Sequence, residues 1–383
     1  MKYKSSNKIS ICIFIMGFHD GGIEKVIENY FTYMDKSDFD LHIVIHINKN
    51  KRRKKYFEKL GFKVHELSYY RGHRVGLNNY REYKKLFSEN HFDIVHNNCV
   101  QYILPLLFAK QYYIPVRILH SHTDFNDALE DRNVFAKYFY HKAIHYNVGL
   151  SNCYFACGER AGISVFGKEH IKDIIVIKNA LDIDKFLYNT EARKKIREQY
   201  ELGNSFVIGH VGRYEDEYKN QEFVVDIFSE LRNLIKNSKL ILVGDGPRRK
   251  NIEQLVKNRN LSKHVIFTGN IENVNEYLSA MDFFVFPSKY EGLSQVVVEA
   301  QCSGLRGIMT DTLAEEMNVL GSFITESLES SARHWADRIV DEHEYVRENK
   351  IKEIERRGYN IRIEAKKLED FYKAYSASVC GVR

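Results

Sequence analysis

The 383-residue chain contains four prolines, one tryptophan and six cysteines with no C-x-x-C pair among them. With so little proline it has no Pro-rich spacer, and no tract of biased composition interrupts it. Cys12, Cys99, Cys153, Cys157, Cys302 and Cys380 are scattered, mostly in apolar strand-like runs. That spacing excludes a zinc framework and reads as reduced core thiols of a cytoplasmic chain. No apolar run approaches the roughly 20 residues that span a bilayer, and no segment repeats at a period of roughly 20–50 residues. The dinucleotide fingerprint G-x-G-x-x-G does not follow the first strand-like run, which argues against a nicotinamide enzyme. Lys2, Lys4 and Lys8 precede Ile9–Ile15 in the manner of a secretion signal. The run lacks a small-residue cleavage site and leads directly into a helical pattern, so it reads as a first buried strand.

What is present is the composition of a globular protein, 44% apolar and 28% charged, at a length that suits two domains. The net charge of +6 is uneven: residues 1–183 carry 27 Lys and Arg against 19 Asp and Glu, residues 184–383 carry 30 against 32. The excess gathers at Lys49, Lys51, Arg52, Arg53, Lys54, Lys55 and Lys59. This cluster is either a solvated loop and helix face or a surface for anionic membrane headgroups or a lipid diphosphate. No nucleic-acid-binding motif accompanies it.

Apolar runs alternate with helical periodicity in both halves. Ile9–Ile15, Leu41–Ile47, Phe92–His96, Val116–His120 and Tyr154–Cys157 read as strands. Ile23, Val26, Ile27, Tyr30, Phe31 and Met34 fall on one helix face. Each half therefore reads as a Rossmann-like α/β domain. Gly21 and Gly22 open the first helix toward a ligand. The Val116 strand ends in His120-Ser121-His122, where a side chain can project over the sheet edge, and either histidine suits that place.

In the second half, Phe206–Val211 leads to Gly212-Arg213, and Lys219 precedes a helix with Phe223, Ile227, Leu231 and Leu234 on one face. Both cations can reach one point at a sheet's carboxyl edge, suited to a nucleoside diphosphate. Strands over Leu240–Val243 and Val265–Thr268 feed turns carrying Gly244, Gly246, Gly269 and Asn270. Phe283–Phe286 ends in Pro287-Ser288, and a turn at Gly292 precedes a helix starting near Leu293 or Ser294. The amides of that helix start suit a phosphate. Glu291 at the loop mouth and Glu299 two turns along suit sugar hydroxyls, because carboxylates only accept. Trp335, with Ala332, Ile339 and Val340 at helical spacing, reads as core.

Glu291-Gly292, Glu299-Ala300 and Gly304 resemble the Glu-x7-Glu signature of the retaining, nucleotide-sugar-dependent glycosyltransferases of family 4, also called glycosyl transferases group 1. Gly21-Gly22-Ile23-Glu24-Lys25 is similar to the family's Gly-Gly-x-Glu-Arg, and Gly212-Arg213 with Lys219-Asn220 to its diphosphate clamp. Val176–Asp182 resembles its interdomain linker. Asp93–Asn98 resembles its Asp-x-Val-His-x-His strand, with Asn98 in place of the last histidine. Leu293-Ser294 and Leu305-Arg306-Gly307 depart from the pattern, which has proline where Ser294 and Arg306 stand.

The resemblance implies an α/β GT-B fold, two Rossmann-like domains with parallel sheets facing across a cleft. It places an acceptor-binding domain at 1–180, a nucleotide-sugar-binding domain at 181–360, and a terminal helix at 361–383 returning to the first. It implies transfer of a sugar from a nucleotide-diphosphate donor, a UDP-sugar, to a glycan or lipid-linked acceptor with retention, in capsule or exopolysaccharide synthesis at the inner face of the cell membrane. His120, His122, Glu291, Arg213 and Lys219 would be catalytic. Gly21, Gly22, Gly244, Gly246, Gly269, Asn270, Gly292, Leu293, Ser294 and Glu299 would join Arg213, Lys219 and Glu291 in binding donor. No metal is implied, and no Asp-x-Asp pair stands in the loops read as donor-binding. Two other readings stay open on the same architecture: a nucleotide-sugar epimerase, and a non-catalytic nucleotide-sugar-binding partner of a glycosylation complex.

Overall fold

A computed structural model describes residues 8–18, 22–68, 77–125, 129, 132–215, 217–291, 293–313 and 315–380. The chain divides into two compact units, residues 1–180 with 358–383, and residues 181–357.

In the first unit the strands are β1 (Ile9–Phe14), β2 (Gly17–Phe18), β3 (Phe39–Ile45), β4 (Ile47–Asn48), β5 (Phe62–Glu66), β6 (Ile94–Asn97), β7 (Val116–Ser121), β8 (Cys153–Ala156) and β9 (Ile174–Val176). Seven of them form a parallel sheet in the order β5-β3-β1-β6-β7-β8-β9, while β2 and β4 pair separately. Parallel neighbours need crossover connections, and helices on both faces bury both sides of each central strand. In β1 this is visible residue by residue: Ile11 and Ile13 enter one core, Cys12 and Phe14 the other. Helix Gly22–Tyr33 adds Val26, Ile27, Tyr30 and Phe31 to the first of these cores.

Helix Ile361–Cys380 lies on the same face of this unit, with Ile361, Ala365, Leu368 and Tyr372 in that core. Fully burying a side chain of this size contributes about 1.5–3 kcal/mol, which explains how a segment from the far end of the chain is held there. Lys373 adds an ion pair to Asp38 at 2.7 Å.

β5 escaped the sequence reading. It is an edge strand, Phe-Lys-Val-His-Glu, buried at Phe62 and exposed at Lys63 and Glu66, so it shows none of the apolar continuity of the inner strands. Its His65 stacks flat on His42 of β3, with Nε2 2.9 Å from Nδ1 of His42.

The second unit contains β10 (Phe206–Val211), β11 (Ser238–Val243), β12 (Val265–Gly269), β13 (Phe283–Phe286), β14 (Gly307–Thr310) and β15 (Phe323–Glu326). They form a parallel sheet in the order β12-β11-β10-β13-β14-β15. Helix Gln221–Leu234 buries Val224, Val225, Ile227, Phe228 and Leu231 against it, so Phe223 and Leu234 flank the buried stripe. Trp335, wholly buried on helix Ala332–Glu342, meets Phe223 edge-on and donates from Nε1 to the Ser327 carbonyl at 2.9 Å.

Two stability measurements follow from these cores. Trp335→Ala removes a fully buried indole and is expected to cost about 3–5 kcal/mol, read as a lower urea midpoint by circular dichroism. A loss below about 1 kcal/mol would contradict the packing described.

Burial holds His65 at about 4, His96 at about 3 and His210 at about 4, and lowers His42 despite its neighbour Asp40. In the unfolded chain each titrates near 6.5. Between those limits the unfolded state takes up protons that the folded state refuses. Stability is therefore fully present above about pH 6.5 and is lost on acidification toward about pH 4, by up to about 1.4 kcal/mol per pH unit for each histidine. Urea midpoints should fall across that window, and less steeply in His65→Gln.

Candidate functional site

The order of the second sheet creates the site. From β10 the chain steps outward through β11 and β12, then returns to the other side of β10 as β13 and steps outward again through β14 and β15. At such a reversal the connections leave in opposite directions, and the carboxyl ends of the two central strands are open to a ligand. The segments there are Gly212–Asn220 after β10 and Pro287–Ser294 after β13.

The two segments are stitched to each other. Asn220 Nδ2 donates to the Pro287 carbonyl at 3.2 Å, and the Lys289 amide donates to the Tyr218 carbonyl at 2.8 Å. The Lys219 ammonium makes a close ion pair with Oε1 of Glu291 and lies 5.0 Å above the Phe286 ring. Two residues that the sequence assigned to separate parts of a ligand thus meet each other directly. Arg213 is half exposed; its guanidinium pairs with Glu215 at 3.0 Å, and its carbonyl accepts from the buried Gln221 amide at 3.0 Å.

Beneath Lys219 lies His210, wholly buried in β10. Its Nδ1–H donates to the Val285 carbonyl at 2.9 Å, and burial, with the Lys219 charge adding, keeps the ring neutral at physiological pH. Nε2 is then a lone-pair acceptor. A Cβ on Gly212 would stand 3.0 Å from that nitrogen and 3.1 Å from Lys219 Cγ, so glycine is what lets the lysine stem cross the histidine. Among the described residues, His210 Nε2, Tyr214 Oη, Ser288 Oγ and Gln295 Nε2 are buried polar atoms with no hydrogen-bond partner. Each such group costs about 1–3 kcal/mol, and their concentration at one strand end marks a place built to bind something polar.

Gly244 and Gly246 have a structural role. At φ values of +129° and +154°, a Cβ on them would fall 2.0 Å from the Gly212 carbonyl oxygen and 2.7 Å from the Tyr214 backbone. Their turn packs directly on the turn after β10, with the Tyr214 amide donating to the Asp245 carbonyl at 3.0 Å. Gly269, at the end of β12, accepts from the Gly244 amide at 3.0 Å, and Asn270 beside it is exposed.

Helix Gln295–Cys302 begins one residue after Ser294, whose side chain makes no capping bond. Leu293 is half buried against the core of this unit, and Glu299 is half buried on the helix, one turn before Cys302, whose thiol burial and Glu299 push well up. The Ser294 amide donates to Met317 Sδ at 3.2 Å, and the Arg306 amide donates to Tyr345 Oη at 3.2 Å. Both amides stand where the family pattern has proline, which carries no N–H. Each departure therefore exchanges a rigid ring for a hydrogen bond. Gly21 and Gly292 lie outside the described residues.

The first sheet reverses in the same way between β1 and β6. The Asn98 amide donates to the Phe14 carbonyl at 3.0 Å, and its Oδ1 accepts from His122 Nε2 at 2.7 Å. Asn98, in place of the family's histidine, thus orients a histidine. The His120 and His122 rings lie with centroids 3.9 Å apart and tilted by 33°, so the structure brings both to one point, His120 buried and His122 more open. Behind them runs a chain of contacts: His120 Nδ1 to His96 Nε2 at 3.1 Å, and His96 Nδ1 to Tyr372 Oη at 2.8 Å. His120 Nε2 has no partner among the described residues. Burial holds His122 at about 3 and His120 well below its usual value, so both rings are neutral and can exchange hydrogen bonds with hydroxyls. Gly22 opens helix Gly22–Tyr33 with nothing within 4 Å of where a Cβ would stand.

Sequence reasoning missed His210, Ser288, Gln295, His96 and Tyr372. A histidine inside the apolar run Phe206–Val211 and His96 in the Asp93–Asn98 strand were the local signals; the others show only when strands and helices distant in sequence are assembled.

Residues 205–341, the core of the second unit, match the family model "Glycosyl transferases group 1". The chain is 29% identical to the putative glycosyltransferase EpsF of Bacillus subtilis over 85% of each sequence. It is also 29% identical to the UDP-Gal:alpha-D-GlcNAc-diphosphoundecaprenol alpha-1,3-galactosyltransferase of Escherichia coli, over 52% of this chain and 54% of that protein. HepE of Anabaena, solved with UDP, has the same fold at a TM-score of 0.68 and 16% identity, over 98% of this chain and 99% of that one. The parallel α/β sheets of the two units are those of the GT-B fold, and the chain is similar to the glycosyl transferases group 1 through its second unit.

Proposed function

We propose that the protein transfers a sugar from a uridine diphosphate donor to a hydroxyl of a lipid-linked glycan, with retention at the anomeric carbon and without a metal, in assembly of a surface polysaccharide. The observation that carries this reading is the junction of β10 and β13, where Lys219, a helix amino terminus and buried polar atoms without partners meet at one strand edge. The E. coli relative named above uses UDP-Gal and a diphosphoundecaprenol-linked acceptor, and HepE was solved with UDP, which supports the choice of base and acceptor class.

The chemistry follows the charge. As the glycosidic bond breaks, negative charge grows on the leaving diphosphate. Arg213, Lys219 and the first amides of helix Gln295–Cys302 stabilise it. To reach the phosphate, Lys219 gives up part of its contact with Glu291, which frees that carboxylate to accept from a donor-sugar hydroxyl. Glu299 accepts from the ribose hydroxyls. The acceptor oxygen attacks on the face from which the diphosphate leaves, and the donor phosphate takes its proton. His120 and His122, as neutral rings, orient hydroxyls without adding charge. The acceptor lies on the first unit, whose basic surface meets anionic headgroups at the inner face of the cell membrane.

Arg213→Ala and Lys219→Ala are each expected to lower kcat by about 10²–10³, or about 3–4 kcal/mol of transition-state stabilisation. Wild-type turnover in Arg213→Ala would remove that residue from the mechanism. In a panel of nucleotide sugars, one uridine donor should raise the melting temperature in proportion to its affinity. Glu299→Gln should raise the donor KM more than it lowers kcat. Isotope exchange at the sugar C2 without acceptor would identify an epimerase instead.

A further inference from the structure

Helix Val134–Leu150 has its buried residues, Ile144, Asn147 and Leu150, in its carboxyl-terminal half, where Asn147 Nδ2 donates to the Val100 carbonyl at 2.7 Å. Among the described residues its first two turns bury no side chain fully, with Ala136, Lys137 and Tyr140 half buried, and they are well formed: the Asn133 side chain caps the helix by accepting from the Ala136 amide at 2.9 Å. On those turns Val134 and Phe135 are each 79% exposed, Phe139 55% and Tyr138 53%. These positions share one face and continue through Lys142, whose ammonium lies 4.8 Å over the Tyr138 ring, to the exposed Tyr146. Four large apolar side chains held out together on a capped helix are more than the scattered single exposures of an ordinary surface.

Along the helix itself the charge is of one sign: Lys137 and Lys142 flank or interrupt the face and there is no Asp or Glu from 133 to 158, while Glu130, Asp131 and Arg132 precede it in the sequence. A second copy of the chain seated here by two-fold symmetry would set these cations against themselves. Aromatic side chains that enter an interface, ringed by cations whose stems reach back to headgroups, fit the boundary of an anionic bilayer. The basic helix Lys51–Lys59, where the sequence concentrates charge, is less suited. Arg53 is paired with Glu28 at 2.8 Å and Lys54 with Glu66 at 2.6 Å, and Tyr56 is the one large apolar side chain it exposes.

We infer that the amino-terminal half of helix Val134–Leu150 is a docking surface for anionic phospholipid, with Phe135, Tyr138 and Phe139 entering the headgroup region and Lys137 and Lys142 meeting the phosphates. The inference rests on the lipid-linked acceptor proposed above only for its purpose. Binding is measured without donor or acceptor, so it can fail while transfer to a soluble acceptor analogue stands, and the reverse.

The test is co-sedimentation of the full chain with vesicles of phosphatidylcholine, with and without phosphatidylglycerol. The wild type should partition to the anionic vesicles. F135S/F139S should weaken that at least about tenfold. K137Q/K142Q should remove the salt-sensitive part, and K51Q/K55Q should leave binding within about twofold. F139W, in a chain whose one native tryptophan, Trp335, is buried, should shift its emission to the blue on adding anionic vesicles and be quenched by brominated acyl chains, a gain of signal that does not depend on a damaging variant. Three results would overturn the inference: no partition by the wild type, loss of binding only in K51Q/K55Q, or a dimer that F135S/F139S converts to monomer.

Discussion

The ion pair between Lys219 and Glu291 is the contact on which the carboxyl edge of the second unit's sheet depends. It joins the segment after β10 to the segment after β13, two stretches that leave the sheet in opposite directions and would otherwise diverge. Around it the Asn220, Lys289 and His210 hydrogen bonds close the seam. The lysine is mostly shielded and sits over an aromatic ring, so its charge is poorly screened by water. In the proposed reaction an arriving phosphate competes for that charge, and the same exchange frees the Glu291 carboxylate for a hydroxyl.

Several residues near this edge serve by permitting close approach. Gly212 lets the lysine stem cross His210, and the turn at Gly244 and Gly246 packs against the backbone of Gly212 and Tyr214. At Ser294 and Arg306 the opposite exchange occurs, an N–H with a partner where the family pattern has proline. The loop before helix Gln295–Cys302 is thus tethered to Met317 by a hydrogen bond to sulfur rather than stiffened by a ring.

The first unit repeats the reversal of strand order but fills it with neutral groups. His96 and His120 are buried, stacked and linked back to Tyr372 on the terminal helix, with His122 beside them. The contrast suits the proposed reaction, in which a leaving diphosphate calls for cations whereas an acceptor hydroxyl needs orientation without competing charge. The unit's charge lies instead on its surface. Where the helix Lys51–Lys59 spends part of it on internal ion pairs, helix Val134–Leu150 combines it with exposed aromatic rings.

Much of this was legible in the order of residues. Apolar runs such as Ile9–Ile15 and Phe283–Phe286 determined central parallel strands, because both faces of such strands must be buried. Glycine, arginine, lysine and glutamate at strand ends pointed to a polar ligand site, because those positions project over the sheet edge. Edge strand β5 was not legible, since a half-exposed strand has no continuous apolar signal. Nor were His210, Gln295, Ser288 and the His96–Tyr372 contact. Their meaning depends on partners up to 276 residues away in the chain, or on having no partner once buried. Sequence alone determined the fold class, because it follows from local periodicity, while the kind of chemistry was what the resemblance of its motifs implied. Only the tertiary structure decided which charges meet, which histidine is buried and which helix face stays bare, because burial and pairing belong to the assembled sheet.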